Sequence, residues 1–306
     1  MPTNPTVMTT QNGVQQHYEQ LMASIDGILW EVDAQTFHFT YVSEQAERLL
    51  GYALAEWTKP NFWIDHLHPE DCAWATAFCR QATNENRNHS FEYRMIAADG
   101  RTVWLRDMVS VVVENAAVSK VCGIMIDITE RKLAEEERQA HLWFLESMDK
   151  VNRAIQSAAD LEQMMRDVFD VVLAIFGCDR VSFLYPCDPA ADAWHIAMER
   201  TQPAYPSDSA TVLEASIDPD IARIFRLALA TKRPVAFGLG ADHALPSAAT
   251  AHYSIQSILA MAVYPKVDKP YLFELQQCSH ARLWQPHEQR LLQEIGHRLA
   301  DALNSL

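Results

Sequence analysis

The sequence predicts an α+β protein of two domains, each an antiparallel sheet with flanking helices, joined by one long helix. Three observations lead there. A chain of 306 residues is long enough for two ordinary cores. Segments rich in β-branched and aromatic residues occur on both sides of Thr129–Ala158, a stretch without Gly or Pro. Hairpin signals join strand segments in both halves: Asp99-Gly100 in the first, Pro265 to Pro270 in the second. The divisions expected are an N-terminal arm (1–16), a first domain (17–132), a connector helix (133–158) and a second domain (159–306).

In the first half, Met1 to Gln16 is polar and reads as a flexible arm. Val14, Tyr18, Leu21 and Ile25 have the spacing of a short amphipathic helix, ended by Gly27. Gly27–Asp33 and Phe37–Ser43 read as strands around a turn at Ala34-Gln35. Ser43 is expected to cap a short helix that Gly51 terminates. Pro69 suits the first position of the next helix, with Glu70 and Asp71 in its first turn, running to about Asn84. Ser90–Ala97, Arg101–Val113 and Ser119–Ile128 follow as strands.

The connector starts at Asp127-Ile128-Thr129-Glu130-Arg131-Lys132. Asp127 and Thr129 can each accept a hydrogen bond from a free N–H of the first turn. Leu133, Ala140, Phe144, Met148, Val151 and Ile155 form a stripe with coiled-coil spacing. Such a stripe predicts a partner helix, and with it a parallel homodimer.

In the second half, Asp160 caps a helix that Gly177 stops. Arg180–Tyr185 and Trp194–Glu199 read as strands. Thr201–Ser216 reads as loop, Asp218-Pro219 as a helix start and Pro234–Phe237 as a strand. Gly238–Ala249 reads as a mobile segment. Ser257–Tyr264 and Tyr271–Cys278 read as a hairpin. From Pro286, Leu292, Ile295, Leu299, Ala302 and Leu306 keep a helical stripe to the last residue, which predicts that the helix continues into an output domain.

The composition excludes several classes. A net charge of −15 without a Lys/Arg cluster argues against nucleic acid or an anionic membrane as partner. No apolar run approaches the ~18 residues of a membrane span, and no basic-then-apolar leader is present, which predicts a cytoplasmic protein. The six cysteines make no CxxC pair and are expected to be reduced.

Tyr41-Val42-Ser43, Leu50-Gly51-Tyr52, His68-Pro69-Glu70-Asp71, Phe91-Glu92-Tyr93-Arg94, Asp99-Gly100, Val103-Trp104-Leu105 and Gly123 to Lys132 resemble a PAS domain with its C-terminal PAC motif, over about Tyr18–Lys132. Phe176-Gly177-Cys178-Asp179-Arg180, Gln276-Gln277-Cys278-Ser279, Arg282, Trp284 and Glu288 to Leu292 resemble a GAF domain over Leu161–Leu306. The resemblance implies the input region of a signalling protein, most simply a sensor histidine kinase of a two-component system. It leaves open a diguanylate cyclase or phosphodiesterase, a thiol enzyme of the GAF type, or a ligand-free dimerisation scaffold. These residues hold no kinase, cyclase or hydrolase motif, so catalytic residues are expected to be none.

Trp30, Tyr41, Trp63, Trp104 and Met125 are the candidates to line a ligand pocket. Asp127, Thr129, Phe144, Met148, Val151 and Ile155 are the candidates to relay a signal. His66 and His68 share a face of an extended segment but lack a third ligand, so no metal is expected. The resemblance implies no covalent flavin, because Ser43 to Arg48 lacks the reactive Cys. It implies no bilin, because Cys278 is followed by Ser279. A non-covalent ligand stays open. His287-Glu288 resembles a phosphoacceptor pair, but a surface histidine is the expected reading.

Overall fold

The computed structural model describes residues 25–114, 117–206, 214–246, 254–266 and 268–304. The arm 1–16, Val14, Tyr18 and Leu21 of the first expected helix, residues 207–213 of the expected 201–216 loop, and Leu306 lie outside them; the two ends of that loop are strand, at Thr201 and at Ala215–Ser216. The chain divides into two compact units, residues 1–137 and 138–306.

The first unit holds a five-stranded antiparallel sheet ordered β2-β1-β5-β4-β3. Its strands are β1 (Ile28–Asp33), β2 (Phe39–Val42), β3 (His89–Ile96), β4 (Thr102–Glu114) and β5 (Ala117–Asp127). Between β2 and β3 run α1 (Gln45–Leu50), α2 (Leu54–Trp57), α3 (Phe62–His66) and α4 (Pro69–Asn84). Strand alternation decides the core: Val103, Leu105 and Val109 of β4 are buried, while Arg106 and Met108 face out. The Asp99-Gly100 turn holds Gly100 at φ 86°, a region where Gly carries no steric cost. Ser43 does not cap α1. Its Oγ accepts the Leu29 N–H at 3.0 Å, so it ties β1 to the chain after β2.

The second unit holds a six-stranded antiparallel sheet ordered β8-β7-β6-β11-β10-β9. These are β6 (Arg180–Tyr185), β7 (Ala193–Thr201), β8 (Ala215–Ser216), β9 (Val235–Gly238), β10 (Ser257–Val263) and β11 (Tyr271–Gln277). The long helix α5 (Thr129–Ser157) begins in the first unit and ends in the second. It is followed by α6 (Leu161–Phe176), α7 (Pro219–Leu229) and α8 (Pro286–Leu303). Asp160 accepts the Gln163 N–H at 2.7 Å and Asp218 the Ile221 N–H at 2.8 Å, as their cap positions require. Gly238 accepts no loose segment after it: its N–H donates to the His243 carbonyl at 3.0 Å, so the start of the stretch expected to be mobile is a closed turn.

The two apolar stripes do not wait for a second chain. Met148 and Val151 of α5, and Leu292, Ile295 and Leu299 of α8, are buried in the second unit's own core with Phe169, Phe183 and Phe273. Phe144 and Ile155 pack against that core at half burial. Leu133, by contrast, is 57% exposed. The spacing of a coiled-coil seam and of a core-facing helix stripe is nearly the same, and here the core uses it.

Candidate functional site

The inner face of the first sheet does not close completely. A cavity open to solvent at one end lies between β1, β4 and β5 on one side and α3 and α4 on the other. Trp30, Val32, Val121 and Met125 form the strand wall, and Phe62, Trp63, Thr76 and Cys79 the helix wall. Phe37 and Phe39 close one end, and the exposed Lys59 and Arg80 stand at the mouth. Trp30 packs edge-on against Phe39, with centroids 6.1 Å apart. Room for its indole depends on Gly123, its partner across β1 and β5. A Cβ there would lie 2.7 Å from the Trp30 ring and 2.5 Å from the Met108 carbonyl oxygen.

The polar feature of this cavity is Asp107. It occupies an inward position of β4, between Leu105 and Val109, and is 3% exposed. Trp30 Nε1 donates to one carboxyl oxygen at 3.0 Å and the Tyr93 hydroxyl to the other at 3.2 Å. Burial pushes the acid up to about 7, against the pull of those two donors. Beside it, burial and the Asp107 charge push the Cys79 thiol up to about 12, so Cys79 stays a neutral thiol. Thr76 Oγ1, on the cavity wall, is buried and has no hydrogen-bond partner, and Trp63, on the same wall, turns its indole toward Tyr93.

Of the pocket residues expected from sequence, Trp30, Trp63 and Met125 line the cavity. Tyr41 and Trp104 do not. Tyr41 is 46% exposed on the edge strand β2. Trp104 lies on the outer face of β4, where Arg94 covers its ring at 5.3 Å and Lys132 at 4.9 Å. Both corrections have one cause: an aromatic residue in a strand has an even chance of either face until register fixes it. Asp107 was missed by the same route. The signal was present, a lone acid in phase with Val103, Leu105 and Val109.

Trp104 has a different part. Its backbone N–H donates to Thr129 Oγ1 at 3.0 Å, and its carbonyl accepts the Ile128 N–H at 2.9 Å. Asp127 in turn accepts the Thr129 N–H at 2.8 Å. Arg131 and Lys132 both pair with Glu92 of β3, at 2.6 and 2.8 Å. The first turn of α5 is therefore clasped to the strand that carries Asp107.

The histidine segment is structural. His68 caps α4 by accepting the Glu70 N–H at Nδ1, 3.3 Å, and His66 Nδ1 lies 2.6 Å from the Phe62 carbonyl. Among the described residues, no group of three His, Cys, Asp or Glu is placed to hold a metal ion. Asp71 receives the Arg94 backbone N–H at 2.8 Å and the guanidinium at 2.7 and 2.9 Å, which hold its acid down to about 2.

In the second unit, the residues singled out by resemblance also form a structural knot. Asp179 accepts the N–H groups of Cys278 and Ser279 and the Gln277 side-chain amide, at 2.6 to 2.8 Å. Arg282 bonds Gln277 at 3.0 Å, pairs with Glu288 and covers Trp284 at 4.3 Å. Cys178, Cys187 and Cys278 are buried, and burial raises all three thiols, which is the wrong direction for a thiolate nucleophile. His287 is exposed and meets the Trp143 ring edge-on at 5.1 Å. A second raised acid, Glu274, is pushed by burial to about 7 and takes a bond from the Gln276 amide at 2.5 Å.

Comparison with known families agrees with both units. The family profile of the PAS fold matches residues 39–125, and that of the GAF domain residues 160–303. The chain pairs a PAS fold with a GAF domain. This makes it a PAS–GAF sensory module of a signalling protein. A curated relative, the methyl sulfide methyltransferase-associated sensor of Methanosarcina acetivorans, is 31% identical over 140 residues, 44% of this chain. The match spans only 12% of that relative's length. Among solved structures, the N-terminal domain of a diguanylate cyclase with PAS/PAC sensor from Marinobacter aquaeolei is 34% identical, covering 35% of this chain and 98% of that one, with TM-score 0.34. The chromophore-binding domain of Stigmatella aurantiaca bacteriophytochrome is 14% identical, covering 91% of this chain and 94% of that one, with TM-score 0.45. No helix among the described residues is long and apolar enough to cross a membrane.

Proposed function

We propose that the PAS cavity is where this module receives its signal, a small organic molecule, and that the parent protein is a cytoplasmic sensor histidine kinase working as a homodimer. The observation that carries the reading is the buried Asp107 on β4. The same strand clasps the start of α5 through Trp104. A ligand that meets the carboxyl changes the charge and position of a group on that strand, and the Trp104–Thr129 and Glu92–Lys132 contacts pass the change to the helix. Asp127 and Thr129 are the first relay residues. Phe144, Met148, Val151 and Ile155 continue the helix into the GAF core. The dimer draws support from Leu142 and Leu145, which stay 45% and 50% exposed on α5.

The test uses the full-length parent protein. Incubated with labelled ATP, it should form acid-labile, base-stable phosphohistidine. Filling the cavity with Thr76→Trp should change the rate. Formation of a cyclic dinucleotide from GTP instead would overturn the kinase assignment, and an unchanged rate in the filled variant would overturn the cavity as input. Light scattering that gives a monomer at tens of micromolar protein would contradict the homodimer.

A further inference from the structure

The residues around the PAS cavity are not distributed evenly by charge. The inner end has one ionisable carboxyl and no cation among its hydrogen-bond partners: both oxygens of Asp107 take neutral donors, Trp30 Nε1 and the Tyr93 hydroxyl. A carboxylate offers about four acceptor positions, so about two stay open. The mouth has the opposite sign. Lys59 and Arg80 both line it, and Asp107 is the only acid among the lining residues. Arg80 lies over the Phe37 ring at 6.0 Å and Lys59 reaches Glu56 only at 3.5 Å, across a water-exposed contact, so neither cation is held in a buried pair. The walls between the two ends are aromatic and aliphatic: Trp30, Phe39, Phe62 and Met125.

We propose that the cavity takes an aromatic carboxylate that carries a hydrogen-bond donor at its far end: the N–H or O–H meets Asp107, the ring fills the apolar middle, and the carboxylate meets Lys59 and Arg80 at the mouth. This rests on the reading of the cavity as the input site and names the class of molecule that fits it. A buried acceptor strongly prefers a ligand that brings its own donor, because a ligand without one leaves the carboxyl desolvated and unmatched. Thr76 Oγ1, buried on the same wall without a partner, offers a hydroxyl to a polar atom on the ring. Burial raises the pKa of Asp107 to about 7, as fits a carboxyl whose missing donor is brought by the ligand.

The experiment measures binding to the 306-residue protein by titration calorimetry and by quenching of tryptophan fluorescence. The probes are 4-hydroxyphenylacetate, 6-hydroxy-2-naphthoate and indole-3-acetate. The controls are 4-methoxyphenylacetate, which lacks the donor, tyramine, which lacks the carboxylate, and 4-methylanisole, which lacks both. At least one donor-bearing carboxylate should bind, and each matched control should bind about tenfold more weakly or worse. Asp107→Ala should cost the donor-bearing probes about tenfold and leave 4-methoxyphenylacetate unchanged. The surface variant Lys59→Gln/Arg80→Gln should cost the carboxylates and leave 4-methylanisole unchanged. Equal binding of probes and controls, or of the 4-methylanisole control alone, would overturn this ligand class while leaving the cavity as an input site. Binding of none of the six at millimolar concentration would overturn both.

Discussion

Asp71 and Asp107 are both buried aspartates of the PAS unit, 5% and 3% exposed, and their surroundings send them in opposite directions. Asp71 faces a guanidinium. Arg94 gives it charge-assisted bonds from side chain and backbone, so its acid lies near 2 and the carboxylate is an anchor between α4 and β3. Asp107 faces an indole N–H and a phenol, no cation, and open space, so its acid lies near 7. Burial pushes both acids up, more strongly at the deeper Asp107; at Asp71 the bonds from Arg94 outweigh it, while at Asp107 no charged donor does. The first arrangement stabilises a fold. The second lowers stability at neutral pH and fits a site that something else completes.

The largest effect expected is from Asp107→Asn. A carboxyl whose pKa is raised in the folded state above its unfolded value costs nothing below pH ~4, where both states are protonated. Its cost grows as pH rises through the unfolded value and levels off above the folded one. Asn keeps an acceptor for Trp30 and can donate to the Tyr93 oxygen. The variant should therefore be more stable than the parent at pH 8, by up to ~4 kcal/mol, and should match it near pH 4, as read from urea unfolding at both pH values. Greater stability of the parent at pH 8 would break the comparison.

Gly123→Ala comes next. Its Cβ would lie 2.5 Å from the Met108 carbonyl oxygen, a backbone atom that cannot swing away, and 2.7 Å from the Trp30 ring. We expect a loss of about 2–3 kcal/mol and a shift of tryptophan emission as the ring moves off Asp107. Asp71→Asn should cost about 2 kcal/mol at pH 7, because it strips the charge that Arg94 meets. The sign is opposite to that of Asp107. Stability from Asp71 is present above pH ~4 and is lost as pH falls toward 2, so thermal melts of parent and variant should converge in acid. Trp30→Phe should have the smallest effect on stability. It removes one donor from Asp107, so the acid should move further upward in a carbon-detected NMR titration.

Much of this was legible in the sequence, and the reasons differ by element. Caps and turns were readable because Asp160, Asp218, Pro69, Gly100 and Gly177 act within a few residues of themselves. The His-Pro-Glu-Asp segment was readable as a structural loop, although Arg94, which explains it, lies a strand away. Helix stripes were readable as stripes but not as interfaces. Met148, Val151, Leu292 and Leu299 pack into their own domain, and nothing in their spacing distinguishes that from a coiled coil. The cavity was the least legible part. Trp104 and Tyr41 failed as wall residues because sheet register decides which face a strand residue takes, and register is a property of pairs of strands. Asp107 needed the same register, plus the indole that Gly123 admits.

The direct measurement is the titration of aspartate carboxyl carbons by NMR in uniformly labelled protein, with Asp107→Asn and Asp71→Asn used for assignment. The account predicts that Asp107 titrates near 7 and Asp71 near 2, and that a donor-bearing aromatic carboxylate moves the first and not the second. Two aspartates that both titrate in the ordinary carboxylate range of about 4, with neither responding to the ligand, would contradict it.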